Sequence, residues 1–219
     1  NVAGGYGLFS IGSDGVWTYS LDNANAAVQA LGAGQALSES FAVMSWDGSA
    51  TETVVVTITG SNDVPVIFVG TGDSDTGVLN ETNSGLSAGG TLKVSDLDTA
   101  DSVVVSAVSV ASNGIANGIS EGVLLSMFSV INGSVIGAGS TLGGISWAFD
   151  SGSEAFDYLG EGEQLVLTYT LNATDSQGGT ATRGVVVTIT GSNDGPMVTA
   201  GGFLAYSEGN GPTAIDPAL

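Results

Sequence analysis

An all-β chain of tandem β-sandwiches is the fold this sequence predicts, and three observations carry the prediction. The ten residues VVVTITGSND occur twice, at 54–63 and again at 185–194. Apolar and polar residues alternate with a period of two, as half-buried strands require. Short apolar runs are also separated by turns rich in Gly, Asn, Asp and Ser, with 35 glycines among 219 residues. A hydrophobic content of 42% supplies enough apolar material for one large or two medium domains with a buried core, which excludes intrinsic disorder.

Taken in chain order, GLFSIGSDGVWTYSL at 7–21 places Ser13-Asp14-Gly15 between two alternating runs, the pattern of a tight hairpin. Trp17, Tyr19 and Leu21 share one face of its second strand, and their alternation favours core packing over a sugar-stacking platform. Trp147 and Phe149 read the same way. Asn25–Leu31 and Glu121–Val130 carry apolar residues at mixed spacing and fit a short helix as well as a strand. Val54, Val56 and Ile58 form one face of a strand, with Thr57 and Thr59 opposite; Val185, Val187 and Ile189 repeat this, with Thr188 and Thr190 opposite. Thr91–Val94 and Ser102–Ser106 read as strands flanking the acidic stretch DLDTAD, and Asn132-Gly133 reads as a hairpin turn.

The repeat extends upstream. Leu31–Phe41 aligns with Leu159–Tyr169, Trp17-Thr18-Tyr19 with Trp147-Ala148-Phe149, and Asp47-Gly48 with the segment Asp175–Gly178. The second copy has an opening portion, from about Val64 to Val110, that the first lacks. Residues 196–219 resemble the start of a third copy. The expected organisation is the C-terminal part of a sandwich repeat over 1–63, a complete longer repeat over 64–194, and opening strands of a further repeat over 195–219. A half-domain leaves a sheet edge unpaired, and such an edge aggregates or borrows a strand from another copy.

Charge narrows the function. Two basic residues, Lys93 and Arg183, face 22 acidic ones for a formal charge of −20. Nucleic-acid and anionic-membrane binding need clustered Lys and Arg and are excluded. Histidine and cysteine are absent, which removes Ser-His and Cys-His catalysis, thiol redox chemistry and zinc sites built on those residues. No apolar run reaches the roughly 18–20 residues of a membrane span, and no export signal opens the sequence.

Carboxylates and neutral oxygens remain as metal ligands. Asp63, Asp73, Asp75, Glu81, Asp96, Asp98 and Asp101 lie close in sequence with only Lys93 to offset them. In an extended segment Asp96 and Asp98 fall on one side of the backbone. Two such charges about 5 Å apart repel by roughly 1 kcal/mol in water and by more in a packed junction. A divalent cation reverses the sign, and Ca2+ suits the set because it takes about 6–8 oxygens in loose geometry. An EF-hand pattern is missing, so the site must be assembled from separate loops.

Residues 7–63 resemble the VCBS-type repeat of large bacterial surface adhesins. The resemblance is carried by Gly7, Ile11, Asp14-Gly15, Trp17-Thr18-Tyr19, Leu21-Asp22-Asn23, Ala27–Leu31, Asp47-Gly48, Ile58-Thr59-Gly60 and Asn62-Asp63. The second copy is a longer version with an inserted region around 111–145, and Ser61 departs from the pattern. The resemblance implies immunoglobulin-like or cadherin-like sandwiches strung in tandem within very long secreted proteins that hold cells to surfaces or to each other. It implies an extracellular, cell-surface location and export by a C-terminal signal. By likeness to cadherin-like modules, Asn62, Asp63, Asp96, Asp98 and Asp175 would bind calcium at the first junction, with Asp101 as an extra ligand. Glu81 would join Asn193 and Asp194 at the next one. Asp47 matches Asp175, but its partner loop is missing from the first copy.

The expected function is therefore a calcium-stiffened extender whose partners are neighbouring repeats of the same protein. Two alternatives stand beside it: a self-assembling filament or surface-layer subunit joined as a homopolymer by strand complementation, and a sandwich module binding a glycan or a protein. Glu161 and Glu163, or Asp150, Glu154 and Asp157, have the residue types of a glycosidase pair, but they fall in turns with no sign of a cleft, and no enzymatic role is expected.

Overall fold

The computed structural model describes residues 1–195 and 208–209. The strands expected in 196–219 thus fall outside the described residues. In the N-terminal part, β1 (Val2–Ala3), β2 (Gly7–Ile11) and β3 (Trp17–Leu21) form an antiparallel sheet, and β4 (Ala36–Met44) pairs with β5 (Thr51–Thr59) in a second. The predicted hairpin joins β2 to β3; Gly15 has a φ of 82° at its turn, the left-handed region a side chain disfavours. Between the sheets, α1 (Ala26–Gln29) is capped by the Asn25 side chain, which accepts from the Ala27 N–H, and it buries Val28.

The following residues build a two-sheet sandwich. Its elements are β6 (Val66–Phe68), β7 (Thr76–Asn80), β8 (Ser87–Ser95), β9 (Val103–Asn113), α2 (Glu121–Ser126), β10 (Phe128–Val130), β11 (Ser134–Ile136), β12 (Leu142–Asp150), β13 (Gln164–Asp175) and β14 (Thr180–Thr190). One sheet has the order β10-β12-β8-β6, the other β11-β9-β13-β14-β7. All pairs are antiparallel except that β7 runs parallel to β14. The chain crosses between sheets after β8, at the DLDTAD stretch, and the resulting order is that of an immunoglobulin-like or cadherin-like sandwich. The fold is all-β, as its periodicity predicts.

Alternation places the core. Leu165, Leu167, Tyr169, Leu171 and Ala173 of β13 and Val185, Val187 and Ile189 of β14 are fully buried against Leu92, Val94, Ile145, Trp147 and Phe149 of the other sheet. Two aromatic sets show that one packing plan serves both copies. Phe128 stacks on Tyr169 at 4.3 Å between ring centroids and on Trp147 at 5.7 Å, while Phe149 tilts against Tyr169 at 6.3 Å. In the first copy Phe9 stacks on Phe41 at 4.5 Å and on Trp17 at 6.0 Å, while Tyr19 tilts against Phe41 at 6.1 Å.

Three local expectations need correction or completion. Both ambiguous segments contain short helices, but Glu121–Val130 divides, helical to Ser126 and extended from Phe128. Asn132-Gly133 is not a hairpin turn, because β10 and β11 lie in different sheets. Instead the Asn132 side chain donates to the Gly144 carbonyl and accepts from the Ser146 N–H, which leads the chain across. Asp96 and Asp98 lie in the loop after β8, not in an extended strand, and Asp96 Oδ1 accepts the Asp98 N–H in a tight Asx turn.

Candidate metal centre at the junction of the two copies

The link between the copies and one end of the second sandwich bring four aspartates together, all nearly inaccessible: Asp96, Asp98, Asp101 and Asp175 are 2%, 0%, 3% and 5% exposed. Asp96, Asp98 and Asp101 come from the crossover between β8 and β9, and Asp175 ends β13. Asn62 and Asp63 arrive from the linker after β5. The Asn62 Nδ2 donates to Asp175 Oδ2 at 3.0 Å, and the Asp63 N–H donates to Asp98 Oδ2 at 2.7 Å. The first copy also touches this loop through the Thr99 hydroxyl, which donates to the Ala30 carbonyl at 3.3 Å. Close approach explains Gly179: a Cβ there would lie 2.3 Å from Asp175 Oδ2.

Each of three carboxylates uses one oxygen to hold the loops and leaves the other bare. Asp98 gives Oδ2 to Asp63, Asp96 gives Oδ1 to Asp98, and Asp101 gives Oδ1 to the Ser176 hydroxyl at 2.8 Å. Asp96 Oδ2, Asp98 Oδ1, Asp101 Oδ2 and Asn62 Oδ1 are buried with no donor. Buried oxygens are ordinarily paired, and an orphaned charged one costs several kcal/mol. Among the described residues no ion pair reaches the cluster; Arg183 instead holds Asp75 at 2.6 Å. Asp73, which accepts from the Gly70 N–H, belongs to another turn.

The residues fit a hard cation. One carboxylate oxygen each from Asp96, Asp101 and Asp175 lie within 4.8 Å of one another. Oxygens about 2.4 Å from a common calcium are at most about 4.8 Å apart, so the three can share one coordination sphere. Burial pushes the Asp96 and Asp98 carboxyls above the ordinary aspartate value of 3.8, and the mutual repulsion of the cluster, including Asp101 and Asp175, pushes the same way. Groups raised in the folded state stabilise it when protonated. That contribution is fully present below 3.8 and is lost as pH climbs through the raised folded values. In chelator, this site is therefore expected to make the chain more resistant to urea at pH 4 than at pH 7, with Asp96→Asn flattening the difference.

The opposite end of the second sandwich gathers the remaining predicted ligands less tightly. Glu81 is 3% exposed; its Oε2 accepts the Ser192 N–H and hydroxyl, both at 2.8 Å, and these bonds hold its carboxyl low. Its Oε1 is buried without a donor. Asn193 and Asp194 are exposed beside it. Asp157, absent from the predicted ligand set, belongs here: desolvation and then the charges of Asp194 and Glu81 push its carboxyl up. It follows Phe156, whose φ of 65° is rare for a bulky residue and whose ring is fully buried. The repeat gives no signal for Asp157, because the first copy has Gln29 at the matching position.

No protein-family model matches the chain, and no curated protein does so significantly. Among solved structures it is similar to the ASH/PapD-like domain 7 of human CEP192 (10% identity, 61% of this chain and 89% of that one, TM-score 0.39). It is also similar to the CooA pilin subunit of enterotoxigenic Escherichia coli (12%, 61% and 100%, 0.34) and to zebrafish RET cadherin-like domains 1 to 4 (14%, 87% and 40%, 0.32). With these scores below 0.5, the fold assignment rests on the strand order above. No helix among the described residues is long and apolar enough to cross a membrane.

Proposed function

We propose that this chain is a calcium-clamped extender of an extracellular bacterial adhesin of the VCBS-repeat kind, with one unit ending at Asp63 and the next running from Val64 to Asp194. Its work is mechanical and not catalytic: it holds a binding domain away from the cell. The observation that carries this reading is the row of buried oxygens on Asn62, Asp96, Asp98 and Asp101 that lack donors where the linker meets the second sandwich. A bound divalent ion supplies the missing positive charge. Asn62 and Asp63 tie the linker to the loops of Asp98 and Asp175, so the same ion that relieves repulsion also fixes the joint. Glu81, Asp157, Asn193 and Asp194 form the matching half-site for a following unit.

Small-angle scattering of the full chain in calcium and then in chelator tests the reading. Chelation is expected to broaden the distance distribution and soften the junction, and calcium to restore it. Identical profiles in both conditions reject the clamp.

A further inference from the structure

Among the described residues no strand covers one flank of the first copy, and the second copy shows what covers the equivalent surface. Although the two aromatic sets pack alike, Trp147 is 1% exposed and Trp17 is 46% exposed. The cover on Trp147 is specific. Its indole N–H donates to the Ser74 carbonyl at 2.9 Å, and a Cβ on Gly90 would lie 2.7 Å from its ring. Both residues belong to the opening portion, 64–110, that has no counterpart in 1–63. The strand edges agree. In the second copy β12 is flanked by β8 and β13 by β9, whereas among the described residues no strand pairs with that edge of β3 or of β4, their equivalents. Along β4 lies a cleft of about 530 Å³ whose lining includes Val2, Phe9, Phe41 and Val43 together with the polar Glu39 and Ser40. Val54 and Val56 of β5 are half-buried, while their equivalents Val185 and Val187 are fully buried.

We infer that this flank binds a β-segment of the same kind as residues 87–113. The segment has two strands of alternating apolar residues joined by an acidic crossover. One strand adds to β3 with glycine facing Trp17, because a larger residue would strike the indole. The other adds antiparallel to β4. Its crossover carboxylates then approach Asp47, the exposed counterpart of Asp175. The aligned copies also fix the register. Tyr169 faces Val110 and Thr168 faces Ala111, so Phe41 faces the segment's Val110 and exposed Ser40 faces its Ala111.

The chain contains no cysteine, which makes the register directly readable. Ser40→Cys in the full chain, with Trp46→Phe to remove a fully exposed fluorophore, is mixed with synthetic peptides of residues 87–113 in a redox buffer containing chelator. A peptide with Ala111→Cys is expected to cross-link at least tenfold faster than one with Ser106→Cys, which belongs opposite Met44, and to shift Trp17 emission to the blue. Equal cross-linking by both peptides overturns the proposal. So does self-dimerisation of the chain through β4 that excludes the peptide. Because calcium is absent throughout, failure here leaves the calcium clamp standing.

Discussion

Asp98→Asn is expected to raise the melting temperature of the chain in chelator and to abolish most of its response to calcium. The two effects have opposite signs from one cause. Asp98 is fully buried, and its bare Oδ1 lies among like charges that disfavour its ionised form. An amide removes one charge and supplies donors to neighbouring orphaned oxygens, worth ~1 kcal/mol, or about 2–4 °C in a chain of this size. The native chain should gain far more from the ion: calcium at a hundredfold its Kd adds about 2.7 kcal/mol, roughly 5–11 °C. Differential scanning fluorimetry of both proteins, with and without calcium, reads all four values. Equal calcium shifts in the two would remove Asp98 from the site.

Trp147→Ala and Trp17→Ala, equivalent positions in the two copies, should differ several-fold in cost. Trp147 is enclosed, stacked on Phe128 and hydrogen-bonded to Ser74. Truncating it leaves a cavity and an unpaired carbonyl, for about 3–5 kcal/mol. Trp17 has solvent on nearly half its surface, and its truncation forfeits about 1 kcal/mol of burial. Urea unfolding followed by circular dichroism separates the two. Comparable midpoints would mean that something already covers Trp17.

The sandwich was legible because period two survives in strands that bury one face, and because a repeated segment constrains two stretches at once. Asp96, Asp98 and Asp101 stand out in the sequence because the acidic run from Asp63 to Asp101 holds a single cation, Lys93, whereas Asp175 lies far outside that run and is reached only through the resemblance to cadherin-like modules. Their pairing was less legible: Asp98 approaches Asp63 through a backbone N–H, which leaves no trace in side-chain identity. Asp157 lay hidden for a different reason. Its place beside Glu81 depends on the left-handed Phe156, a conformation residue type argues against. Asn132-Gly133 misled because the same dipeptide serves a tight hairpin and a passage between sheets.

The parallel pairing of β7 with β14 bears on how the second unit carries load. Tension along the chain pulls the two strands in opposite directions past one another, since one lies near the entry of the unit and the other at its exit. Their five register pairs, from Thr76 with Val186 to Asn80 with Thr190, are then strained together in shear. The short β6, antiparallel on β8 over three residues, can instead peel away bond by bond. Under pulling, such a unit should yield a little at low force as β6 detaches and then hold until the β7–β14 patch ruptures at once.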